Sequence, residues 1–192
     1  MAFFIFEIKN MKLFFSTLLS FFCLSVFAQS EASFPEACLG KYKGTLYIEH
    51  MKAGLVDSAQ VQLDFVESST VGIWDYINTI SSERYGEVVK DYKLYKKDSV
   101  SNIYVLDENN GILINHSVFQ NSMFSLYEAA GSYFTYRMEC LDSGELYYEI
   151  GTSSLKSEQI SEYDQGEEGS EPFVVKSYLP FTRQWAKLEK ID

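Results

Sequence analysis

Several stretches of this chain alternate in polarity with a period of two, and that alternation restricts them to half-buried β-strands. In Lys41–Glu49, Tyr42, Gly44, Leu46 and Ile48 share one face while Lys41, Lys43, Thr45 and Glu49 share the other. Successive strand side chains point to opposite faces, so one side of this segment is buried and the other wet. Gln60–Phe65 repeats the pattern, as do Phe134, Tyr136, Met138 and Cys140 set against Thr135, Arg137 and Glu139. Leu146, Tyr148 and Ile150 likewise oppose Glu145, Tyr147 and Glu149. Each reads as an antiparallel strand with a single core face.

Between these lie less regular runs rich in aromatic and branched residues, at 72–80, 88–96, 102–107, 112–118 and 123–129. Turn chemistry separates them. Asn109-Asn110-Gly111 accepts the positive φ of a tight hairpin, and Asp142-Ser143-Gly144 is a second such signal. From about 157 to 172 the chain turns acidic, with Glu158, Glu162, Asp164, Glu167, Glu168 and Glu171 among Ser and Gly, which reads as a long exposed loop. A final strand-like run, 173–187, is interrupted at Pro180, which has no N–H to donate to a central ladder. There is no heptad, no long repeat and no helical periodicity beyond short turns near 51–56 and 82–87. Many short strands joined by hairpins make an up-and-down barrel or a sandwich. With little helix to cover an open sheet, closure hides the edges best, so the expected fold is all-β, an antiparallel up-and-down β-barrel of about 8–10 strands.

The first 28 residues belong to a different category. Met11 and Lys12 precede an apolar run, residues 13–27, that ends at Val26, Phe27 and Ala28, the three-part layout of a secretory signal with cleavage after Ala28. The run is shorter than the ~20 residues of a membrane-spanning helix, and Cys23 lies inside it behind Phe22, a poor setting for lipid attachment. The expected organisation is therefore a signal peptide, 1–28, and one barrel domain, 29–192, with an acidic loop at about 157–172. Cleavage removes Lys9, Lys12 and Glu7, one net positive charge, and takes the formal charge from -11 to -12. Such a balance argues against nucleic acid, whose phosphates need a basic face, and against anionic membranes. The two cysteines left, Cys38 and Cys140, form either a disulfide or two buried thiols; sequence separation says nothing about the distance between their Cα atoms.

Gly40-Lys41-Tyr42-Lys43-Gly44-Thr45-Leu46-Tyr47, a Gly-x-aromatic-x-Gly opening followed by meandering strands, resembles the calycin superfamily of lipocalins, fatty-acid-binding proteins and nitrobindin-like barrels. Tyr104–Ile112 and Gln184-Trp185-Ala186-Lys187-Leu188 are similar to lipocalin-like proteins exported by Bacteroidetes-type bacteria, which implies a periplasmic or secreted bacterial location. The chain departs from the pattern in carrying Tyr42 where lipocalins carry Trp, and in leaving little room at 50–58 for the two helices of a fatty-acid-binding protein. Nitrobindin-like barrels hold haem through a C-terminal His; the final segment here has none, so no cofactor is expected.

The inventory for catalysis is poor. His50 and His116 are the only histidines, in no metal-spaced pair, and no Gly-x-Ser-x-Gly elbow occurs. Asp107 and Glu108 are adjacent, so on a strand they face opposite ways and serve a hairpin better than acid–base chemistry. Residues 162–168 lack the Asp-x-Asp-x-Asp-Gly order of a calcium loop. Neither an enzyme nor a metal site is expected. Aromatics, 16% of the chain, carry the functional signal. Tyr42, Trp74, Tyr76 and Tyr92 are inward candidates from the first half of the chain, and Tyr104, His116, Phe134, Tyr136 and Tyr148 from the second. A barrel of about ten strands has room for a lined cavity. The expected function is non-enzymatic binding of a small, mostly apolar or aromatic ligand in the interior. The other reading is a cell-envelope interaction or structural module whose rings simply fill the barrel.

Overall fold

The inner-face residues meet around a closed ring of ten strands. The computed structural model describes residues 33–84, 86–163, 166 and 171–192; the expected signal peptide, 1–28, lies outside the described residues. The chain runs through β1 (Gly40–His50), β2 (Gly54–Glu67), β3 (Ile73–Ser82), β4 (Gly86–Lys96), β5 (Ile103–Asp107) and β6 (Leu113–Phe119). It continues through β7 (Ser122–Ala129), β8 (Ser132–Cys140), β9 (Leu146–Ser154), β10 (Gln159–Tyr163), β11 (Phe173–Ser177) and β12 (Pro180–Lys190). Each of β1 to β9 pairs antiparallel with its chain neighbour, and β12 pairs with both β9 and β1 to close the barrel. Among the described residues no helix is long and apolar enough to cross a membrane.

Register converts the alternation into an interior. Tyr76 stands opposite Tyr92, Tyr104 opposite His116, Met138 opposite Tyr148 and Leu46 opposite Ala186, so the apolar set of each strand meets that of the next. At the closing seam, β1 approaches β12 too closely for a side chain. A Cβ on Gly44 would lie 2.7 Å from the Lys187 carbonyl oxygen and 2.9 Å from Leu188 Cδ2. This supplies the physical reason for a glycine inside the opening motif.

One end of the barrel is plugged. Residues 33–39 fold over the ends of β2 and β5, with Phe34 against Phe65 (ring centroids 5.9 Å apart) and edge-on to Tyr104 (5.0 Å). Tyr42 donates its hydroxyl to the Cys38 carbonyl at 2.9 Å, and Lys190 Nζ donates to that of Leu39 at 2.8 Å. Cys38 and Cys140 form a disulfide with Cα atoms 5.5 Å apart, which settles the alternatives left open by the sequence. Beneath the plug Leu63, Phe65, Leu94, Met123, Met138 and Leu146 are all fully buried. Each contributes about 1.5–3 kcal/mol of transfer free energy relative to exposure.

Two expectations need correction. The acidic stretch is not wholly loop, because Gln159–Tyr163 forms β10 and pairs with β11 as a two-stranded ribbon, Ile160 opposite Lys176 and Tyr163 opposite Phe173. The charge count conceals a strand whose Ile160 and Tyr163 are separated by Ser161 and Glu162, with no period-two alternation to reveal it. The last run is likewise two strands in two sheets, β11 in the ribbon and β12 in the barrel. Pro180 opens β12, a position where its missing N–H costs no ladder bond.

Candidate functional site

Strands β3 and β8 lie five steps apart in either direction around the ring, diametrically opposite one another. Tyr76 from β3 and Tyr136 from β8 reach across the interior and meet, their hydroxyl oxygens 2.6 Å apart. Tyr76 Oη also donates to Met138 Sδ at 3.6 Å. The pair forms a floor. On the plug side of it the inner face is solid with Phe65, Leu94 and Met138. On the other side, a cavity of about 120 Å³ opens toward the opposite end.

The cavity walls are aromatic with polar points. Tyr92, Tyr127 and Tyr148 stand around it above the floor, with Ile80, Ile114 and Ile150 between them. Burial holds every one of these phenols protonated. It pushes Tyr76 up to about 12, against the opposing hydrogen bonds of Tyr136 and Asn78, and raises Tyr136 and Tyr148 further. Tyr92 is pushed up to about 12 by burial and then by the neighbouring Glu108 carboxylate.

His116, 2% exposed, sits edge-on to Tyr136 with ring centroids 5.3 Å apart. Its Nδ1 lies 3.1 Å from the Ile114 carbonyl oxygen. A carbonyl only accepts, so Nδ1 carries the proton and Nε2 is left as an acceptor. Burial lowers the imidazole to about 4, which keeps it neutral at physiological pH. Asn78 adds a second buried acceptor in the wall, since its Oδ1 has no hydrogen-bond partner. Such an atom costs about 1–3 kcal/mol when unsatisfied.

Among the described residues two charged side chains line the cavity, Lys90 and Glu108, one of each sign. Glu108 occupies the β5–β6 turn, where it accepts from Asn110 Nδ2 at 3.2 Å, and Asn109 Nδ2 ties that turn to β4 through the Asp91 carbonyl at 2.8 Å. Outward of Ile80 and Lys90 lies a second, apolar recess of about 200 Å³ bounded by Ile48, Ala59 and Val88. The cavity therefore has a hydrogen-bonding bottom, a charged lip and an apolar shoulder.

Of the nine residues expected from sequence, Tyr76, Tyr92, His116, Tyr136 and Tyr148 line this cavity. Phe134 stacks on Tyr127 at 5.4 Å and backs its wall. Tyr42, Trp74 and Tyr104 belong to the plugged half and its core. Sequence reasoning missed Tyr127, which shares the inner parity of Met123, and Asn78, Lys90 and Glu108. Asn78 and Lys90 carried a signal, as polar residues on otherwise apolar faces; Glu108 carried none, because its position depends on how the turn folds. Among the described residues no group of three or more potential ligands is arranged to hold a metal ion.

Fold and site together define a closed ten-strand antiparallel barrel, plugged at one end, with a tyrosine-walled cavity at the other, a shape compatible with a lipocalin-like fold. No family model matches the chain, and no curated protein matches its sequence.

Proposed function

We propose that this protein is an exported, non-enzymatic, calycin-like barrel of a bacterial envelope that binds a small ligand with an apolar body and a polar edge. The observation that carries the reading is the cavity above the Tyr76–Tyr136 floor, walled by phenol rings whose hydroxyls stay protonated. Its volume of about 120 Å³ lies below the ~300–1,000 Å³ of drug-sized pockets and near the ~150 Å³ of an engineered cavity that holds benzene. It suits one ring, or the ring end of a longer molecule that leaves past the apolar shoulder. The Cys38–Cys140 disulfide supports an oxidising compartment. His116 bonds a backbone carbonyl in place of the carboxylate that would orient a catalytic imidazole.

Native mass spectrometry on the full chain, exported to the periplasm of a bacterial host and purified without detergent, tests the proposal. A discrete extra mass that vanishes on denaturation is the expected result. A bare mass that stays bare against lipid and metabolite extracts would count against it. A second reading then gains ground, favoured by the β10–β11 ribbon, whose Ile160, Tyr163, Phe173 and Val174 are all exposed. The protein would then be an envelope interaction module that meets a protein partner through this ribbon.

A further inference from the structure

The charged lip narrows the ligand class, on the premise that the cavity binds a ligand at all. Lys90 and Glu108 face the same cavity with opposite charges, yet neither forms an ion pair with the other or with any other described residue. Elsewhere on the barrel Lys93 pairs with Asp75 at 2.8 Å and Arg183 with Glu149 at 2.7 Å. Register explains the separation. Lys93 opposite Asp107 places Tyr92 opposite Glu108, so Lys90 stands one inner-face step farther toward the open end, on the diagonal. Tyr92 lies between the two charges and Ile80 flanks the lysine, while the ring-sized space lies below them.

A purely apolar ligand would leave the Lys90 ammonium without a carboxylate, and Glu108 with only the neutral Asn110 amide and Tyr92 hydroxyl as partners. A simple anion would meet Glu108, and a simple cation would meet Lys90. Only a molecule carrying both signs within a few ångströms of each other, with an apolar body behind them, satisfies the whole arrangement. We propose that the ligand is dipolar at one end, with an ammonium directed to Glu108, a carboxylate directed to Lys90, and a single ring or comparable apolar group seated on the Tyr76–Tyr136 floor. A free aromatic amino acid is the simplest member of this class. The barrel is the filter for size, and the lip is the filter for charge.

Isothermal titration of the full-length exported protein with four probes of one shape tests this: L-phenylalanine, phenethylamine, 3-phenylpropionate and phenethyl alcohol. Phenylalanine should bind about tenfold more tightly than either singly charged probe, the factor expected of one partly exposed charge-assisted contact. Glu108→Gln should collapse the preference over 3-phenylpropionate, and Lys90→Met the preference over phenethylamine. Phenethyl alcohol binding as well as phenylalanine would overturn the dipolar assignment and leave the cavity-binding reading intact. Binding of none of the four, with no bound mass from the native extract either, would overturn both.

Discussion

Replacing Tyr136 by Phe removes one of two hydroxyls that meet at the barrel centre, and the consequence depends on which partner is left behind. Tyr76 keeps Met138 Sδ, 3.6 Å away, as an acceptor for its proton. The loss is therefore one net hydrogen bond, about 1 kcal/mol, or a fall in midpoint temperature of about 2–4 °C for a chain of this size. Tyr76→Phe is the harsher change. Tyr136 Oη has only Tyr76 as a partner among the described residues, so a buried hydroxyl is orphaned at about 1–3 kcal/mol. In the double variant neither hydroxyl remains, two phenyl rings of nearly the same shape meet, and the Asn78 amide alone loses a partner, as it already does in Tyr76→Phe. Its cost should not exceed that of Tyr76→Phe alone, giving a coupling of about 1 kcal/mol between the sites. Urea unfolding at neutral pH, followed through the fluorescence of Trp74 and Trp185, measures all four corners of the cycle. Costs that add to within about 0.3 kcal/mol would show that the hydroxyls do not hold one another, and the floor would have to be abandoned.

Gly44→Ala should destabilise the barrel by about 1–3 kcal/mol, because the new Cβ meets the backbone of β12 at the seam. In Gly151→Ala the Cβ meets the Thr135 hydroxyl at 2.6 Å, a side chain that can rotate aside, so thermal unfolding should rank the second change milder. Cys38→Ser with Cys140→Ser removes a cross-link spanning 102 residues, for which the chain-entropy limit is about 4.7 kcal/mol; non-reducing urea melts against wild type read the difference. Stability should fall as pH drops. His116 is held to about 4 when folded, against about 6.5 unfolded, so between these values the unfolded chain binds the extra proton. That window holds about 3 kcal/mol of stability, present above pH 6.5 and lost progressively toward pH 4. His116→Gln should flatten the slope of stability against pH there, and an unchanged slope would show that this imidazole does not titrate on unfolding.

The period-two alternation made the barrel legible, because burial on a closed sheet is decided strand by strand and each strand needs only its own parity to be right. Lys41–Glu49 and Phe134–Cys140 show this most clearly, and their inner faces in the structure are those the pattern assigns. β10 was hidden because a ribbon that buries neither face imposes no alternation on its sequence, and every residue of it is exposed. The site was legible only in composition. Parity says that Tyr42, Tyr76 and Tyr104 all point inward, but it assigns no height along the barrel axis, and height decides which tyrosines pack under a plug and which stand over a cavity. That height is set by register at β1–β12 and by the reach of residues 33–39, neither of which is a local property of any strand.

The two halves of the interior follow from one asymmetry in how the barrel is finished. At one end the disulfide, Phe34 and the Tyr42–Cys38 bond bring outside groups into the ring, so large apolar side chains there are fully enclosed and can be packed without polar partners. At the other end the described residues form no such plug, and the inner positions carry Asn78, Lys90, Gln184 and phenols in place of Leu and Met. Those groups weaken a core, since each needs a partner the interior does not freely supply. A sequence selected for stability alone would continue the pattern of Leu63, Phe65 and Leu94 to the rim. The polar groups instead begin at the Tyr76–Tyr136 floor, and that boundary is the physical argument that supports the proposed binding of a molecule in the open half.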